Sequence, residues 1–562
     1  MNAAMIQEIL QEVKHTKDLT PEAIDKAKKQ ISAKYKEKNV PTNIEILNHL
    51  TQAERKEYSK FLITKPTRTL SGVIPLAVMS APFSCSHGKC IFCPGGPGSV
   101  FGDVPQSYTG HEPSTMRAIR ANYDSYQIIF NRLEQYIVMG RIPQKGEVII
   151  QGGTFPSMPK QYQKEFVTYI YKAMNDFSEV FFKNNELDFE TFKEFFELPG
   201  SIHDKEREMR IKEKVLKLRG TASLKKEQAR NETAFVRCVG LTIETKPDWG
   251  LAKHGNELLQ LGCTRIELGI QSTFQDVLNN LNRGHTIQET IQSVRELKDL
   301  GFKINAHMML GLPNSSAEKD IASMKELFDN PDFRPDMIKI YPCLVVRGTP
   351  LYELWKRKQY QEISAEEAAS SIAEMKRFIP KYVRIMRVQR DIPSTVIDAG
   401  PIRTNLRQEV EKICIKKGIH CQCIRCRESG RAKKIENVEI TVLEYDASQG
   451  KEFFIAAEDL KNNVLIGYCR VRFPSQSLRP EITDKTAIVR ELHVYADTLQ
   501  LKEKSNVSFQ HRGFGKKLLE KAEEIAKQHG KKKMIIISGI GVREYYQKVG
   551  YTKEDVYMKK EF

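Results

Sequence analysis

The sequence predicts an α/β protein with an open barrel of six β/α units, a smaller C-terminal α/β module and a helical N-terminal segment. Between about residues 72 and 346, six β-branched apolar runs are each followed by a longer helix-like stretch. Such repeats form parallel sheets covered by helices. Residues 435–562 instead alternate strand-like runs before a glycine-containing loop and an amphipathic helix. At 562 residues, the chain also exceeds what one hydrophobic core usually supports.

The N-terminal segment, residues 1–70, is expected to form polar, mildly basic helices. Pro21 fits the start of one helix and Pro41 interrupts another. We find neither a secretory signal pattern nor an apolar run long enough to cross a bilayer, so no membrane contact is expected. The 11 cysteines, clustered in short motifs, then indicate metal ligation in a reducing compartment. We therefore expect a cytoplasmic protein.

The barrel domain is predicted for residues 71–375, with a charged, helix-prone insertion at 184–237. Its strands are expected at residues 72–79, 147–151, 239–244, 265–270, 303–309 and 337–344. An open six-stranded barrel is favoured, and a flat doubly wound sheet is the alternative. Both architectures place ligand sites at the carboxyl ends of the strands. Gly152 and Gly153, Glu244 and Gln271 follow or end three of these runs, and we take them as cofactor-binding candidates.

Three cysteines, Cys85, Cys90 and Cys93, lie in the loop after the first strand. Three thiolates at this spacing can hold three irons of a 4Fe–4S cluster and leave the fourth iron open. An open iron can bind S-adenosylmethionine and reduce it, which yields a 5′-deoxyadenosyl radical. The alternative is a zinc site completed by His87, or three buried thiols.

A basic connector is predicted for residues 376–434, which contain 16 Lys and Arg against 5 Asp and Glu. The whole chain carries a net charge of +17. A concentration of arginine of this kind favours a polyanion such as nucleic acid over a solvated basic face.

The connector also contains Cys421, Cys423 and Cys426, which suggest a structural zinc site. Our choice for the fourth ligand is Cys343 at the end of the sixth strand, with His420 and Cys414 as alternatives. The remaining alternative is a set of free thiols.

The C-terminal module, residues 435–562, contains a loop and helix start of the form Gln-x-x-Gly-x-Gly. Backbone amides at such a helix N-terminus can bind a pyrophosphate. The loop follows the strand Arg490-Glu491-Leu492-His493-Val494 and precedes Tyr545-Tyr546. In this arrangement the module resembles the GNAT acetyltransferases. A tyrosine of this kind can protonate a leaving thiolate, and we assign this role to Tyr546, with Tyr545 as the alternative. Glu491 and His493 are both candidates for activating water.

Taken together, the motifs resemble the family of Elongator catalytic subunits, of the stand-alone archaeal or bacterial type. The resemblance is carried by Cys85-x4-Cys90-x2-Cys93-Pro94-Gly95-Gly96, Gly152-Gly153-Thr154-Phe155, Arg387-Val388-Gln389-Arg390-Asp391 and Arg490-Glu491-Leu492-His493-Val494. It implies a radical-SAM barrel fused to a GNAT domain. It also implies the cofactors: a 4Fe–4S cluster, S-adenosylmethionine, acetyl-CoA and, in some members, zinc.

This resemblance implies a tRNA-modifying enzyme that makes 5-carboxymethyluridine at the wobble uridine. The radical would activate the methyl group of acetyl-CoA, the carbon radical would add to carbon 5 of uracil, and hydrolysis would release CoA. The acetyl-CoA contacts implied by the family are Lys145, Glu491, Leu492, His493, Val494, Gln510, Arg512, Gly513, Phe514, Gly515, Lys516 and Tyr546. The tRNA anticodon would contact the basic surfaces, including the N-terminal segment.

Two rival functions remain at the level of sequence: a protein lysine acetyltransferase with a structural cluster, and a non-catalytic tRNA-binding scaffold. The electron donor is not identified, and both a monomer and a homodimer are compatible with the sequence.

Overall fold

The computed structural model describes residues 3–16, 18–62, 72–200, 204–403, 405–432, 434–495 and 513–562. Contacts divide the chain into two compact units. The first comprises residues 1–76, 126–146 and 168–237, and the second comprises residues 77–125, 147–167 and 238–562. No helix of the described residues is both long and apolar enough to cross a membrane.

The α-helices of the described residues are α1 Ala3–His15, α2 Pro21–Lys34, α3 Asn43–His49, α4 Gln52–Leu62, α5 Pro113–Arg120, α6 Ser125–Val138, α7 Lys160–Phe181, α8 Phe189–Phe195, α9 Lys205–Arg219, α10 Leu224–Thr233, α11 Ala252–Gln260, α12 Gln275–Asn280, α13 Ile287–Asp299, α14 Ala317–Asp329, α15 Pro350–Lys356, α16 Ala365–Met375, α17 Leu406–Lys416, α18 Ile424–Arg427, α19 Phe514–Gln528 and α20 Arg543–Lys548. The strands are β1 Val73–Met79, β2 Gly96–Ser99, β3 Gly102–Val104, β4 Lys145–Gln151, β5 Phe182–Lys183, β6 Glu186–Leu187, β7 Arg237–Thr245, β8 Arg265–Gln271, β9 Lys303–Leu310, β10 Met337–Pro342, β11 Arg384–Arg387, β12 Glu439–Ala447, β13 Gly450–Asp459, β14 Val464–Phe473, β15 Thr486–Val494, β16 Lys533–Ile536, β17 Thr552–Glu554 and β18 Tyr557–Glu561.

The N-terminal helices bury one apolar face each, as their sequence pattern requires. Met5, Ile9, Ile24, Ile46 and Leu62 belong to one hydrophobic cluster that spans α1 to α4. Two of the helices begin with Thr side chains that accept hydrogen bonds from the first turn, Thr20 for α2 and Thr42 for α3. The predicted helical N-terminal segment is confirmed over the described residues.

The larger sheet has the strand order β1-β4-β7-β8-β9-β10-β11. Its first six strands are the six that the sequence predicts, and the pairs from β7 to β11 are parallel. The seventh strand, β11, lies in the range that we assigned to the connector. Its four residues are two apolar side chains, Ile385 and Met386, flanked by arginines, and the strand was overlooked because the segment is short and arginine-rich.

The insertion at residues 184–237 is helical, as predicted, and contains α8, α9 and α10. A short hairpin of β5 and β6, which the sequence analysis missed, spans the start of the insertion, with β5 just before it and β6 inside it. Asn184 and Asn185 form its turn with φ values of 52° and 63°, which asparagine tolerates better than most residues. Strands of two residues carry too little periodicity to be detected.

The second sheet has the order β12-β13-β14-β15-β16-β18-β17, and α19 packs its apolar face on it. Leu518, Leu519, Ala522, Ile525 and Ala526 of α19 are all buried in the core of this module. The strands β15 and β16 are parallel, whereas β12 to β15 are antiparallel in succession. This arrangement confirms the predicted C-terminal α/β module.

Buried charges join the C-terminal module to the barrel. Arg490 of β15 donates to both carboxylate oxygens of Asp336, which precedes β10, and both side chains are fully buried. The same arginine also contacts Glu452 at 2.9 Å, on β13, which β14 separates from β15 in the sheet. Paired and hydrogen-bonded charges of this kind hold a specific geometry, because removing one partner leaves the other buried and unpaired.

Candidate active site

The three predicted cluster ligands, Cys85, Cys90 and Cys93, line one cleft at the carboxyl ends of the barrel strands. The cleft has a volume of about 1080 Å³, including space open to solvent. Gly152, Gly153, Glu244 and Gln271 lie at the ends of β4, β7 and β8. All but Gly152 also line this cleft. The structure therefore brings these candidates together around one cavity.

The surroundings of the three sulfurs suit thiolates that bind an anionic cluster. The Ser107 backbone N–H lies 3.1 Å from Cys93 Sγ, and Arg283 Nη1 lies 3.3 Å from Cys90 Sγ. Hydrogen bonds from such donors stabilise cluster sulfurs and tune their potential. The cysteines present therefore fit a 4Fe–4S cluster.

The zinc alternative at this loop fits less well. His87 Nε2 lies 3.2 Å from Cys90 Sγ. However, the compact groups of ligand atoms among the described residues do not include Cys85, Cys90 and Cys93. A closed tetrahedral zinc site needs its sulfurs about 4 Å apart, because each Zn–S bond is about 2.3 Å.

Backbone crowding explains the two glycines after β4. Both have positive φ values, 128° at Gly152 and 99° at Gly153. A Cβ on Gly152 would lie 2.1 Å from Ser80 Oγ, and one on Gly153 would lie 4.0 Å from Cys85 Sγ. Glycine is therefore required at Gly152, and bare backbone beside Cys85 leaves room for a ligand.

A polar cluster on the floor of the cleft is formed by Glu244, Glu267, His307, Lys339 and Tyr108, of which sequence reasoning predicted only Glu244 as a site residue. Glu267 is 1% exposed and accepts from His307 Nε2 at 2.9 Å, from Asn305 Nδ2 at 3.0 Å and from Lys339 Nζ. Tyr108 Oη donates to Glu244 Oε2 at 3.1 Å. Except for Tyr108, these residues come from four neighbouring strands, β7 to β10.

A signal for this cluster was present in the sequence. Polar residues recur at alternate positions of otherwise apolar runs: Arg265 and Glu267 in β8, Asn305 and His307 in β9, and Lys339 and Tyr341 in β10. Alternate residues of a strand share one face. In a barrel that face is the interior, so the pattern marks an interior polar layer.

Electrostatics separate the protonation behaviour of these groups. Burial raises the pKa of Glu267, but Lys339 and the hydrogen bond from His307 outweigh it and hold that pKa well below its usual range. Burial, aided by the charge of Lys339, lowers the pKa of His307 to about 4. Burial raises the pKa of Glu244 despite the opposing charge of Lys339. Neighbouring groups with divergent pKa values are typical of functional sites.

The predicted acetyl-CoA contacts of the C-terminal module lie at the end of β15 and the start of α19. Leu492, His493 and Val494 pair with Cys469, Tyr468 and Gly467 of β14. Gly513 precedes α19 in a left-handed conformation with a φ of 76°, and Phe514, Gly515 and Lys516 form its first turn. Gln510 and Arg512 lie outside the described residues.

The two tyrosines of α20 occupy different environments. Tyr545 is 39% exposed, and its Oη lies 3.0 Å from the Cβ position of Gly515. Tyr546 is buried in the core of the module, and burial together with the nearby Cys469 raises its pKa. A phenol with a raised pKa is protonated at neutral pH, so Tyr546 carries the proton that its predicted role requires, although it is a weaker acid than an ordinary tyrosine. Tyr545 instead reaches the backbone at the start of α19.

The two candidate bases on β15 also differ. Arg470 Nε donates to Glu491 Oε2 at 2.9 Å. Burial raises the pKa of Glu491, but Arg470 and Lys303 hold it below the usual range. Burial lowers the pKa of His493, and its Nε2 has no hydrogen bond among the described residues. A neutral imidazole is a better base near neutral pH than an ion-paired carboxylate.

Lys145, the remaining predicted catalytic and acetyl-CoA residue, is the first residue of β4 and is half-buried.

Cys421, Cys423 and Cys426 form a compact group with sulfurs within 4.8 Å of one another. Cys343, our first choice for a fourth zinc ligand, does not belong to this group. It is buried beside Cys90, Cys93 and Met309, in the hydrophobic cluster at the top of the barrel. Cys343 directly follows β10, whereas the connector cysteines lie near β11, where Ile424 N donates to the O atom of Val383 just before that strand. Cys414 and His420 are also outside the group.

Much of the positive charge of the connector is paired within the protein. Arg427 is buried against Glu458, Arg384 pairs with Glu428 at 2.8 Å, and Lys417 pairs with Glu374 at 2.9 Å. Lys416 is exposed and has no ion pair in the described part of the chain. The count of basic residues therefore overstates the charge available to a polyanion.

Four family profiles match the chain. They are the ELP3 N-terminal domain at residues 2–70, the Radical SAM superfamily at 82–327, the Radical_SAM C-terminal domain at 335–415 and the Acetyltransferase (GNAT) family at 424–551. The Radical SAM match contains the three cysteines of the cleft, and the GNAT match contains β15, α19 and α20.

Similar proteins cover nearly the whole chain. The tRNA uridine(34) acetyltransferase of Methanocaldococcus jannaschii is 46% identical over 529 residues, covering 92% of this chain and 90% of the relative. Elongator complex protein 3 of Saccharomyces cerevisiae is 39% identical over 543 residues, covering 94% and 90%. A solved structure of Methanocaldococcus infernus Elp3 with an N-terminus deletion aligns with a TM-score of 0.72 at 39% identity, covering 88% of this chain and all of that one. The chain therefore belongs to the family of the tRNA uridine(34) acetyltransferases and Elongator complex protein 3.

Proposed function

We propose that this protein modifies the wobble uridine of tRNA, using acetyl-CoA as the carbon donor and S-adenosylmethionine as the radical source, and that the product is 5-carboxymethyluridine. The observation that carries the proposal is the presence, in one chain, of a three-cysteine cleft at the top of a barrel and a GNAT-like loop–helix site. Neither rival function needs both sites.

Each set of residues has a separate task in this proposal. Cys85, Cys90 and Cys93 hold the 4Fe–4S cluster. With S-adenosylmethionine bound, the cluster supplies the radical that takes hydrogen from the acetyl methyl group. The bare backbone of Gly152 and Gly153 leaves room for the S-adenosylmethionine, and the side chain of Gln271 contacts it.

The C-terminal module holds the acetyl donor. The amides after Gly513, at the start of α19, bind the pyrophosphate, because a helix N-terminus carries partial positive charge. Lys145 and residues 491–494 complete the acetyl-CoA contacts. Tyr546 gives its proton to the leaving thiolate, and His493, neutral because of its burial, accepts a proton from the attacking water.

We further propose that Cys421, Cys423 and Cys426 bind zinc, with a fourth ligand outside the group, and that tRNA contacts the exposed basic residues of the connector. Zinc at this position would fix the short helix α18 against β11.

The decisive experiment is anaerobic. Reconstituted protein is incubated with dithionite, S-adenosylmethionine, methyl-labelled acetyl-CoA and tRNA, and the nucleosides are analysed by mass spectrometry. Labelled 5-carboxymethyluridine is expected, together with iron and zinc in the same preparation. A Cys90→Ala variant should form none while still binding tRNA. Acetyl-lysine without a modified nucleoside would reject the proposal in favour of a protein acetyltransferase.

A further inference from the structure

Apart from Glu244, which the sequence suggested as a cofactor contact, the polar cluster on the cleft floor has no role in the functions assigned so far. Glu244, Glu267, His307 and Tyr108 line the same cleft as the three cysteines. Charged and polar groups are costly to bury in a barrel interior unless each of them has its hydrogen-bond partners. Two polar atoms next to the cluster lack a hydrogen-bond partner among the described residues: Asn305 Oδ1, on the fully buried residue that donates to Glu267, and Gln271 Oε1, on a residue that lines the cleft.

Within the cluster, Glu267 is committed to the protein. Its Oε1 accepts from Asn305, and its Oε2 accepts from both His307 and Lys339. This leaves it no geometry for a ligand, so it acts as an anchor for its neighbours. Glu244 differs, because only its Oε2 has a partner, the hydroxyl of Tyr108. Glu244 Oε1 has no hydrogen bond among the described residues. Glu244 itself is half-buried and lines the cleft.

A divalent cation is not the ligand that this arrangement favours, although Glu244, Glu267 and His307 lie within ligand distance of one another. The ammonium group of Lys339 already lies beside Glu267, where a metal ion would have to bind. A metal ion there would meet an ammonium group as well as two carboxylates. A neutral group with a polar edge meets no such repulsion.

We propose that Glu244 reads the Watson–Crick edge of the target base, accepting the N3–H of uracil, and that Glu267, Lys339 and His307 position it. This rests on the proposed function, in which a splayed-out base must reach the cleft. Uracil presents a donor at N3, whereas cytosine presents an acceptor there. A carboxylate accepts hydrogen bonds but does not donate them, so it pairs with uracil and repels cytosine. An acetyl thioester has no hydrogen-bond donor, so it would leave Glu244 Oε1 on the cleft floor without a partner.

The test compares two anticodon stem–loop RNAs that differ only at position 34, U or C, by equilibrium binding to the full-length protein. The wild-type protein should bind the U34 RNA about tenfold more tightly or better, since a buried polar group left unpaired discriminates strongly. Glu244→Gln should bind both RNAs about equally, because an amide carries a donor as well as an acceptor. Glu213→Gln, at an exposed position of α9, should retain the wild-type ratio.

A separate variant tests whether Glu267 positions Glu244. Glu267→Gln removes the ion pair with Lys339, so it should also lose the U34 preference while its affinity for the C34 RNA stays unchanged. Melting curves of both variants identify any that fail to fold. If a variant does not fold, His307→Gln is used in its place, and the ratio of U34 to C34 binding is measured in the same way.

The outcomes separate this inference from the proposed function. Equal binding of U34 and C34 by the wild-type protein, or a full U34 preference in folded Glu244→Gln, overturns the role of Glu244 even when modified uridine is formed. A U34 preference that depends on Glu244, in a protein that forms no modified nucleoside, supports base recognition and rejects the proposed chemistry.

Discussion

At the scale of single residues, burial decides which of two similar side chains suits a given task. Tyr545 and Tyr546 are adjacent in sequence, yet one is 39% exposed and the other lies in the hydrophobic core. Glu491 and His493 lie on one strand, yet Arg470 engages only the carboxylate. The sequence pattern indicates both members of each pair as candidates for one role, and only their surroundings in the fold distinguish them.

The tyrosine assignment makes a testable distinction. Tyr546→Phe should lower the rate of CoA release about 10²-fold with little change in KM for acetyl-CoA, because it removes a proton donor. Tyr545→Phe should mainly raise KM, because its hydroxyl lies beside the backbone of Gly515. Steady-state kinetics of CoA release measures both. A larger effect on kcat from Tyr545→Phe than from Tyr546→Phe would reverse the assignment.

At the scale of elements, the connector shows how tertiary pairing changes the meaning of composition. Its short strand β11 extends the barrel sheet, and its helix α18 docks on that strand. The arginines that made the segment look like a polyanion site are partly used in these contacts, as at Arg384 and Arg427. The charge that remains available lies on exposed positions such as those at the end of α17.

The paired and unpaired lysines of α17 provide a matched comparison. Lys416→Ala should weaken tRNA binding and reduce the slope of log K against log salt by about 0.7–1, because one phosphate contact is lost. Lys417→Ala should have a smaller effect, since Lys417 is held by Glu374 at 2.9 Å. Binding at several salt concentrations measures the slopes. Identical slopes for wild-type protein and Lys416→Ala would remove this helix end from the tRNA surface.

At the scale of the whole molecule, buried ion pairs fix the C-terminal module on the barrel. Asp336, Glu452 and Arg490 are each fully buried and come from different parts of the chain. Burial raises the pKa of Asp336, but Arg490, Lys298 and Arg470 outweigh it and hold that pKa far below its usual range. In the contact between the C-terminal module and the barrel, buried charge therefore specifies the geometry as well as apolar area does.

This network predicts a specific pH dependence of stability. Because the folded pKa of Asp336 is depressed, its contribution is complete above the unfolded pKa of about 4 and is lost as the pH falls below it. Asp336→Asn should lower the free energy of unfolding at pH 7 by about 3–5 kcal/mol, since the buried Arg490 loses one of its two carboxylate partners and keeps Glu452. Melting temperatures measured between about pH 3 and pH 7 test this.

The variant should also lose less stability than the wild-type protein on acidification, because the titrating carboxylate is absent. The exposed Asp484→Asn, on a turn before β15, serves as control and should follow the wild-type curve. Parallel acid limbs for Asp336→Asn and wild-type protein would contradict the role of Asp336.

The sequence by itself determined the features that depend on local pattern. Periodicity identified six barrel strands, the spacing of Cys85, Cys90 and Cys93 predicted a cluster site, and the glycine motif at the start of α19 predicted an anion-binding helix start. Each of these is specified within a few residues, where the chemistry of the chain is sufficient.

Only the tertiary structure decided which distant residues meet. Glu244, Glu267, His307 and Lys339 are separated along the chain, and the parallel pairing of β7 to β10 places them on one cleft floor. The same pairing buries Cys343 away from the connector cysteines, against expectation. Strand register and the burial of charge are collective properties of the folded sheet, and no short segment of sequence encodes them alone.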